Sequence, residues 1–113
     1  MLALNALGVS IVPLHSLGTD EELRYMIRHS NSRLVVVADE HRVRLASLLE
    51  DSDDCEVLVE ADLAENSGSP TGVQTDLSTE AALVYTSGTT GTPKGCMLSN
   101  EYFLAIGIWY NGL

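Results

Sequence analysis

Lysine occurs once in these 113 residues, and six basic side chains in all face sixteen acidic ones, for a formal charge of −10. So little positive charge leaves no basic stripe for a polyphosphate backbone, which excludes DNA and RNA as expected partners. Cysteine is almost as scarce. Cys55 and Cys96 are far apart and form no Cys-x-x-Cys pair, so neither a zinc site nor a disulfide framework is indicated and a reducing, cytoplasmic setting is expected. His15, His29 and His41 are spaced too widely for a helical metal motif. The acidic run Glu50, Asp51, Asp53, Asp54, Glu56 lacks the glycine and distal glutamate of a calcium loop, so no metal ligands are expected among these residues. Apolar residues 1–12 are too few to cross a bilayer and carry no charged flank of a signal peptide, so no transmembrane segment is expected.

What is present is a globular composition, 45% hydrophobic and 19% charged, on a chain long enough for one small core. Residues 9–14 and 34–38 are β-branched apolar runs of strand length, and 57–59 is a third. Between the first two, Thr19-Asp-Glu-Glu22 places a threonine N-cap three residues before a glutamate, and Leu23, Met26 and Ile27 then share one helical face. Leu45, Leu48 and Leu49 form a second stripe over 40–49. Strands apolar on both faces that alternate with helices predict an α/β fold, a partial doubly wound, Rossmann-like sheet with mostly parallel strands.

Residues 61–78, rich in Ser, Gly, Thr and acids, carry no period and read as an internal loop or linker. After them the pattern predicts a strand at 81–85, a loop, a short strand at 96–98 and a helix over 100–110 begun by Ser99 or Asn100. Tyr102, Phe103, Ile106 and Trp109 form a stripe on that helix of the kind that faces a core, here one expected to belong to the part of the domain outside this chain. Residues 1–7 resemble the last turns of a helix, and the chain stops just after Trp109-Tyr110, so an incomplete domain is expected.

The loop is where chemistry is concentrated. Thr86-Ser-Gly-Thr-Thr-Gly-Thr-Pro-Lys-Gly95 combines glycines, whose backbone N–H groups can closely approach an anion, with hydroxyl donors and the chain's single lysine. That combination suits a triphosphate. It is not a Walker loop, because Pro93 stands where the second glycine belongs and Gly95 where the magnesium-binding hydroxyl belongs. No Gly-x-Gly-x-x-Gly occurs either, so a dinucleotide site has no support.

Residues 85–95, Tyr-Thr-Ser-Gly-Thr-Thr-Gly-Thr-Pro-Lys-Gly, resemble throughout the signature of the adenylate-forming superfamily, which includes acyl-CoA synthetases, nonribosomal adenylation domains and luciferases. Leu4-Asn-Ala-Leu-Gly-Val-Ser-Ile-Val-Pro-Leu14 and Thr19-Asp-Glu-Glu-Leu-Arg-Tyr-Met-Ile27 are similar to that family's region before the loop. The resemblance implies that 1–113 are part of an N-terminal AMP-binding domain of a carboxylate–CoA ligase. It implies that Thr86, Ser87, Gly88, Thr89, Thr90 and Lys94 hold the β- and γ-phosphates of ATP with Mg2+, and that none of them is a catalytic nucleophile. It further implies a small carboxylic acid and coenzyme A as co-substrates, and dependence on the remainder of such an enzyme, whose adenine, ribose and magnesium motifs are absent here. A stand-alone nucleotide- or phosphate-binding module and a non-functional truncation are the alternatives.

Overall fold

A computed structural model of the chain describes residues 2–51, 54–65, 73–87 and 91–112. These fall into two compact units, one of Leu14–Ser69 and one of Met1–Pro13 with Pro70–Leu113.

The Leu14–Ser69 unit is built around helix α2 (Asp20–His29); helix α1 (Leu2–Ala6) belongs to the other unit. The expected capping box is present. Thr19 Oγ1 accepts from the Glu22 N–H at 3.2 Å, and Glu22 Oε2 accepts from the Thr19 N–H at 2.9 Å, so two donors orphaned at the helix start are satisfied reciprocally. At the other end Asn31 sits in the left-handed region at φ 53, while the N–H groups of Asn31 and Ser32 return to the carbonyls of Arg28 and Ile27. This is a Schellman stop with asparagine in glycine's usual place. The helix buries Leu23, Met26 and Ile27.

Strand β1 (Leu34–Val37) pairs in parallel with β2 (Glu56–Val59), Leu34 opposite Glu56 and Val37 opposite Val59. The crossover between them carries a short 3-10 turn, Asp39–His41, followed by α3 (Arg42–Leu48), so the second predicted helix begins more tightly wound than expected. Leu45, Leu48 and Leu49 join Leu23, Met26, Ile27, Val35 and Val59 in the buried set. Arg44 ties α3 to the start of α2, its guanidinium donating to Asp20 Oδ1 at 2.8 Å and to the carbonyls of Ser16 and Gly18. The expectation of strands buried on both faces is corrected here. Leu34 and Val36 are exposed whereas Val35 is buried, because a strand's period of two sends alternate side chains to opposite faces and only one face of β1 is covered.

The second unit contains α1, the antiparallel hairpin β3 (Glu80–Thr86) and β4 (Lys94–Ser99), and helix α4 (Asn100–Asn111). Residues 9–14, expected as a strand, form only one parallel bridge, Ile11 to Ala82. Gly8 turns left-handed at φ 72 just before, and Pro13 has no N–H to continue a ladder just after. The predicted loop 61–78 opens within a 3-10 helix, Glu60–Glu65, and ends in a hydrogen-bonded turn at 76–79. Helix α4 starts where predicted, Ser99 Oγ accepting from the Tyr102 N–H. None of its residues is buried; of the stripe, Tyr102 and Trp109 are exposed, Trp109 at 62%, while Phe103 and Ile106 are half-buried. Its apolar residues lie on every side, whereas among the described residues the hydrogen bonds that tie it to the preceding turn lie at its start, at Asn100 and Glu101.

Candidate phosphate-binding site

The hairpin sets the geometry of the candidate loop. Ala81 and Ala82, at 0% and 1% exposure, are small enough for the chain to pack directly against β3. The Ile11 N–H donates to the Ala81 carbonyl at 3.1 Å, and the Leu83 N–H donates to the Ile11 carbonyl at 2.9 Å. Since main-chain groups alternate along a strand, those of Ala82, Val84 and Thr86 turn the other way, toward β4. Their partners there are Leu98, Cys96 and Lys94. Thr86 and Lys94 are therefore the last pair of the ladder before the loop.

Directly opposed residues of an antiparallel pair project from the same face, with Cβ atoms about 5 Å apart. Thr86 and Lys94 thus share one face at the hairpin mouth, and both are exposed. Lys94 forms no ion pair with another described residue; the described ion pairs are His41 with Glu40 and Arg44 with Asp20. An exposed ammonium with no ion pair among the described residues, on the same strand face as a hydroxyl, suits an anionic ligand. Ser87 follows Thr86 and is also exposed. Gly91 takes φ 86, with no described residue within 4 Å of where a side chain would stand. Gly88, Thr89 and Thr90 lie outside the described residues.

The opposite face of the hairpin explains the motif's last glycine. A Cβ on Gly95 would lie 3.0 Å from Leu83 Cδ1 and 3.5 Å from Tyr85 Cε1. Two side chains of β3 occupy the space that a larger residue would need, which allows the strands to keep their register up to the mouth.

At the end of the hairpin away from the loop is a feature within the stretch expected to be a loop without structure. Asp76 Oδ1 accepts from the N–H and hydroxyl of both Ser78 and Thr79, at 2.7 to 3.1 Å. These bonds hold its carboxyl below the usual range, the Ser78 hydroxyl contributing most and the Thr79 hydroxyl next. The turn then meets the start of α4: Asn100 Nδ2 donates to the Asp76 carbonyl, the Asn100 N–H to Thr79 and the Glu101 N–H to Leu77. Asp-x-Ser-Thr was the available signal, because aspartate readily bonds backbone two residues on.

The Leu14–Ser69 unit contains a separate open cleft of about 530 Å³, lined by Arg28, Asn31, Arg33, Asp51, Asp54 and Cys55 among others. Burial raises the Cys55 thiol above its ordinary value. The cleft lies at the amino ends of β1 and β2, whereas parallel sheets bind ligands beyond their carboxyl ends. Both cysteines are free thiols. Among the described residues no group of three His, Cys, Asp or Glu could hold a metal, and no helix is long and apolar enough to cross a membrane.

A family described as AMP-binding enzyme matches residues 1–111, which include both strands of the hairpin and the loop between them. The chain belongs to the AMP-binding enzyme family. Among its relatives, sulfoacetate–CoA ligase of Cupriavidus necator is 32% identical over 116 residues, covering 95% of this chain and 23% of the relative. The 2-succinylbenzoate–CoA ligase of Listeria monocytogenes is 34% identical over 100 residues, covering 88% of this chain and 20% of the relative. The chain thus spans less than a quarter of either. ATP-bound MatB from Rhodopseudomonas palustris superposes with a TM-score of 0.77 at 28% identity, over 95% of this chain and 23% of that one. The mixed α/β architecture is that of adenylate-forming ligases, as the sequence predicts.

Proposed function

We propose that this AMP-binding segment supplies the ATP triphosphate-binding loop of a carboxylate–CoA ligase. The observation carrying the reading is the register that sets Thr86 opposite Lys94, which has no ion pair among the described residues, at the hairpin mouth. Thr86, Ser87, Gly88, Thr89, Thr90 and Lys94 hold the β- and γ-phosphates, and Mg2+, when bound, screens the charge on those oxygens. A carboxylate oxygen attacks the α-phosphorus of ATP and the bond to the β-phosphate oxygen breaks. Pyrophosphate leaves with the bonding electrons. Coenzyme A thiolate then attacks the acyl carbon of the adenylate and AMP departs. Lys94 stabilises charge on the leaving pyrophosphate; no residue of the loop forms a covalent bond.

In this reading residues 1–113 are part of an N-terminal AMP-binding domain, with 61–78 as an internal loop. They are inactive without the rest of the ligase, which supplies the adenine, ribose and carboxylate contacts. In this reading the ligase works in the cytoplasm.

The test is kinetic. In a ligase containing this segment, Lys94→Ala slows the burst of pyrophosphate release by about a hundredfold, which corresponds to about 3 kcal/mol of transition-state stabilisation, and leaves thiol capture of preformed adenylate at its original rate. Lys94→Arg recovers only part of the loss, because a planar fork does not fill the place of a compact ammonium. Equal slowing of both half-reactions, or of neither, refutes the assignment.

A further inference from the structure

The ladder between β3 and β4 is not regular. From Glu80 to Thr86 the first strand takes six steps, while from Ser99 to Lys94 the second takes five, and the difference is absorbed between Glu80 and Ala82. Ala81 is the extra residue, so that Ala81 and Ala82 together stand against Leu98, the arrangement of a β-bulge. Continued from the Glu80–Ser99 pair without a bulge, a regular ladder would bring Tyr85 opposite Lys94 and leave Thr86 opposite Pro93, which has no N–H to give. A slip of one residue also moves side chains to the other face of a strand. Lys94 would then share its face with Tyr85 and Leu83 instead of Thr86 and Val84.

The starting pair and the bulge are both held. The Asn100 N–H donates to the Thr79 carbonyl, the Glu101 N–H to Leu77 and the Asn100 side-chain amide to Asp76, which keeps Ser99 beside Glu80. A bulge takes one residue's main chain out of the ladder, and a buried main-chain group is costly to leave unpaired. Here the Ala81 carbonyl turns to the edge of β3 away from β4, where it accepts from the buried Asn5 side-chain amide at 2.8 Å and from the Ile11 N–H at 3.1 Å. The Ile11 carbonyl in turn takes the Leu83 N–H, and Ser10 Oγ donates to Glu80. Residues 5–11 thus make Ala81 the favoured place for the extra residue of β3.

We propose that the bulge at Ala81 sets the register of the candidate phosphate site, taking up one residue of β3 so that Thr86, and not Tyr85, stands opposite Lys94. Asn5 and Ile11 are positioning residues that act by holding the bulge. Its consequence for nucleotide binding rests on the phosphate reading above; the register itself does not.

Ile11→Pro removes the main-chain donor to Ala81, and Asn5→Leu removes the side-chain donor while keeping the same branching. Each weakens the bulge against the regular ladder, in which the extra residue of β3 passes into the loop. The two registers have different signatures, because α-protons meet across the non-hydrogen-bonded pairs of an antiparallel ladder. Tyr85 meets Gly95 with the bulge in place, and Val84 meets Gly95 without it. In NMR of the 113-residue chain, the population with the Val84 to Gly95 contact is expected to rise about tenfold in either variant, with relaxation dispersion reporting it while it is minor. A purely structural role would lower stability and leave the register of the folded molecules unchanged. The Tyr85 to Gly95 contact with no rise in a second population therefore overturns the proposal. Asn5→Leu leaves every main-chain donor in place and supplies the measurement if Ile11→Pro does not fold.

Titration of the same samples with magnesium pyrophosphate separates the register from the phosphate reading. Apparent affinity falls in proportion to the fraction of molecules in the competent register. A wild-type response at Thr86 and Lys94 that weakens in step with that fraction supports both claims. No response in the wild-type chain removes the phosphate reading, while the α-proton contacts still decide the role of the bulge. An undiminished response in a variant whose register has mostly shifted overturns the claim that the register serves the site.

Discussion

Helices α2 and α4 are of similar length and stand in opposite relations to the chain that contains them. The ten residues of α2 have charged side chains on one side and bury Leu23, Met26 and Ile27 on the other; the twelve of α4 are apolar on all sides and bury nothing. An amphipathic helix states in its own sequence how many neighbours it needs, and α2 lies in a unit whose buried side chains also include Leu45, Leu48 and Val59. A helix apolar all round calls for contacts on every side, and in this chain α4 buries no residue, with Phe103 and Ile106 half-buried and its hydrogen bonds to the preceding turn made by Asn100 and Glu101. The unit with the candidate site has the less protected helix.

The sharpest way to break this comparison is a pair of truncations. Leu23→Ala removes a side chain of 2% exposure and should cost about 2–5 kcal/mol in urea denaturation, the lost transfer energy plus a cavity. Ile108→Ala, at 74% exposure, should fall within about 0.5 kcal/mol of the parent. A comparable loss at Ile108 would mean that α4 is packed in solution and that the contrast between the helices is wrong.

A smaller effect is expected in the hairpin. Gly95→Ala places a methyl group against Leu83 and Tyr85, and one of those side chains must leave its rotamer or the strands must part by a few tenths of an ångström. Overpacking of this sort costs about 1–3 kcal/mol. Exchange of the Thr86 and Lys94 amides should rise before overall stability falls. A neutral or stabilising outcome would show that the hairpin mouth is loose enough to accept the methyl group, and that the glycine is required by the ligand rather than by the fold.

What could be read in advance follows the distance over which each interaction acts. Thr19 and Glu22 lie three residues apart, and the box they form was legible because capping is local chemistry. The ends of β3 and β4 were legible within a few residues, since apolar runs bracket a stretch that only a loop could use. Which face of β1 is covered was not legible, because Leu34-Val-Val-Val37 gives the same apolar run whether one neighbour layer exists or two. Nor could residues 9–14 be told from a strand, as their composition is right and only Gly8 and Pro13 limit their pairing. Asn5 was part of a quoted segment and yet invisible as an anchor, because its partner is 76 residues away. For the loop itself, Thr86, Ser87 and Lys94 fall at the hairpin mouth, while Gly88, Thr89 and Thr90 lie outside the described residues.

The smallest expected effect concerns acid. Glu22 in the first unit and Asp76 in the second are both held below their ordinary values, Glu22 chiefly by the Thr19 N–H and then its hydroxyl, Asp76 chiefly by the hydroxyls of Ser78 and Thr79. A carboxyl whose folded pKa lies below its unfolded one binds fewer protons when folded, so its contribution to stability is present above the unfolded value and fades as pH falls through the folded one. For both groups that window lies below about pH 4. Both are on the surface and solvent-screened, so each contribution is slight. Glu22→Gln and Asp76→Asn should each be less stable than the parent near neutrality and converge with it in acid. The two losses should appear in different places, Glu22→Gln loosening the first turn of α2 and Asp76→Asn loosening Asn100 and Glu101 at the start of α4. Amide exchange along a pH series distinguishes them. If either substitution loosened both helices by the same factor, the two units would unfold as one, and the contrast between a helix supported by its own unit and one supported by its cap would have to be abandoned.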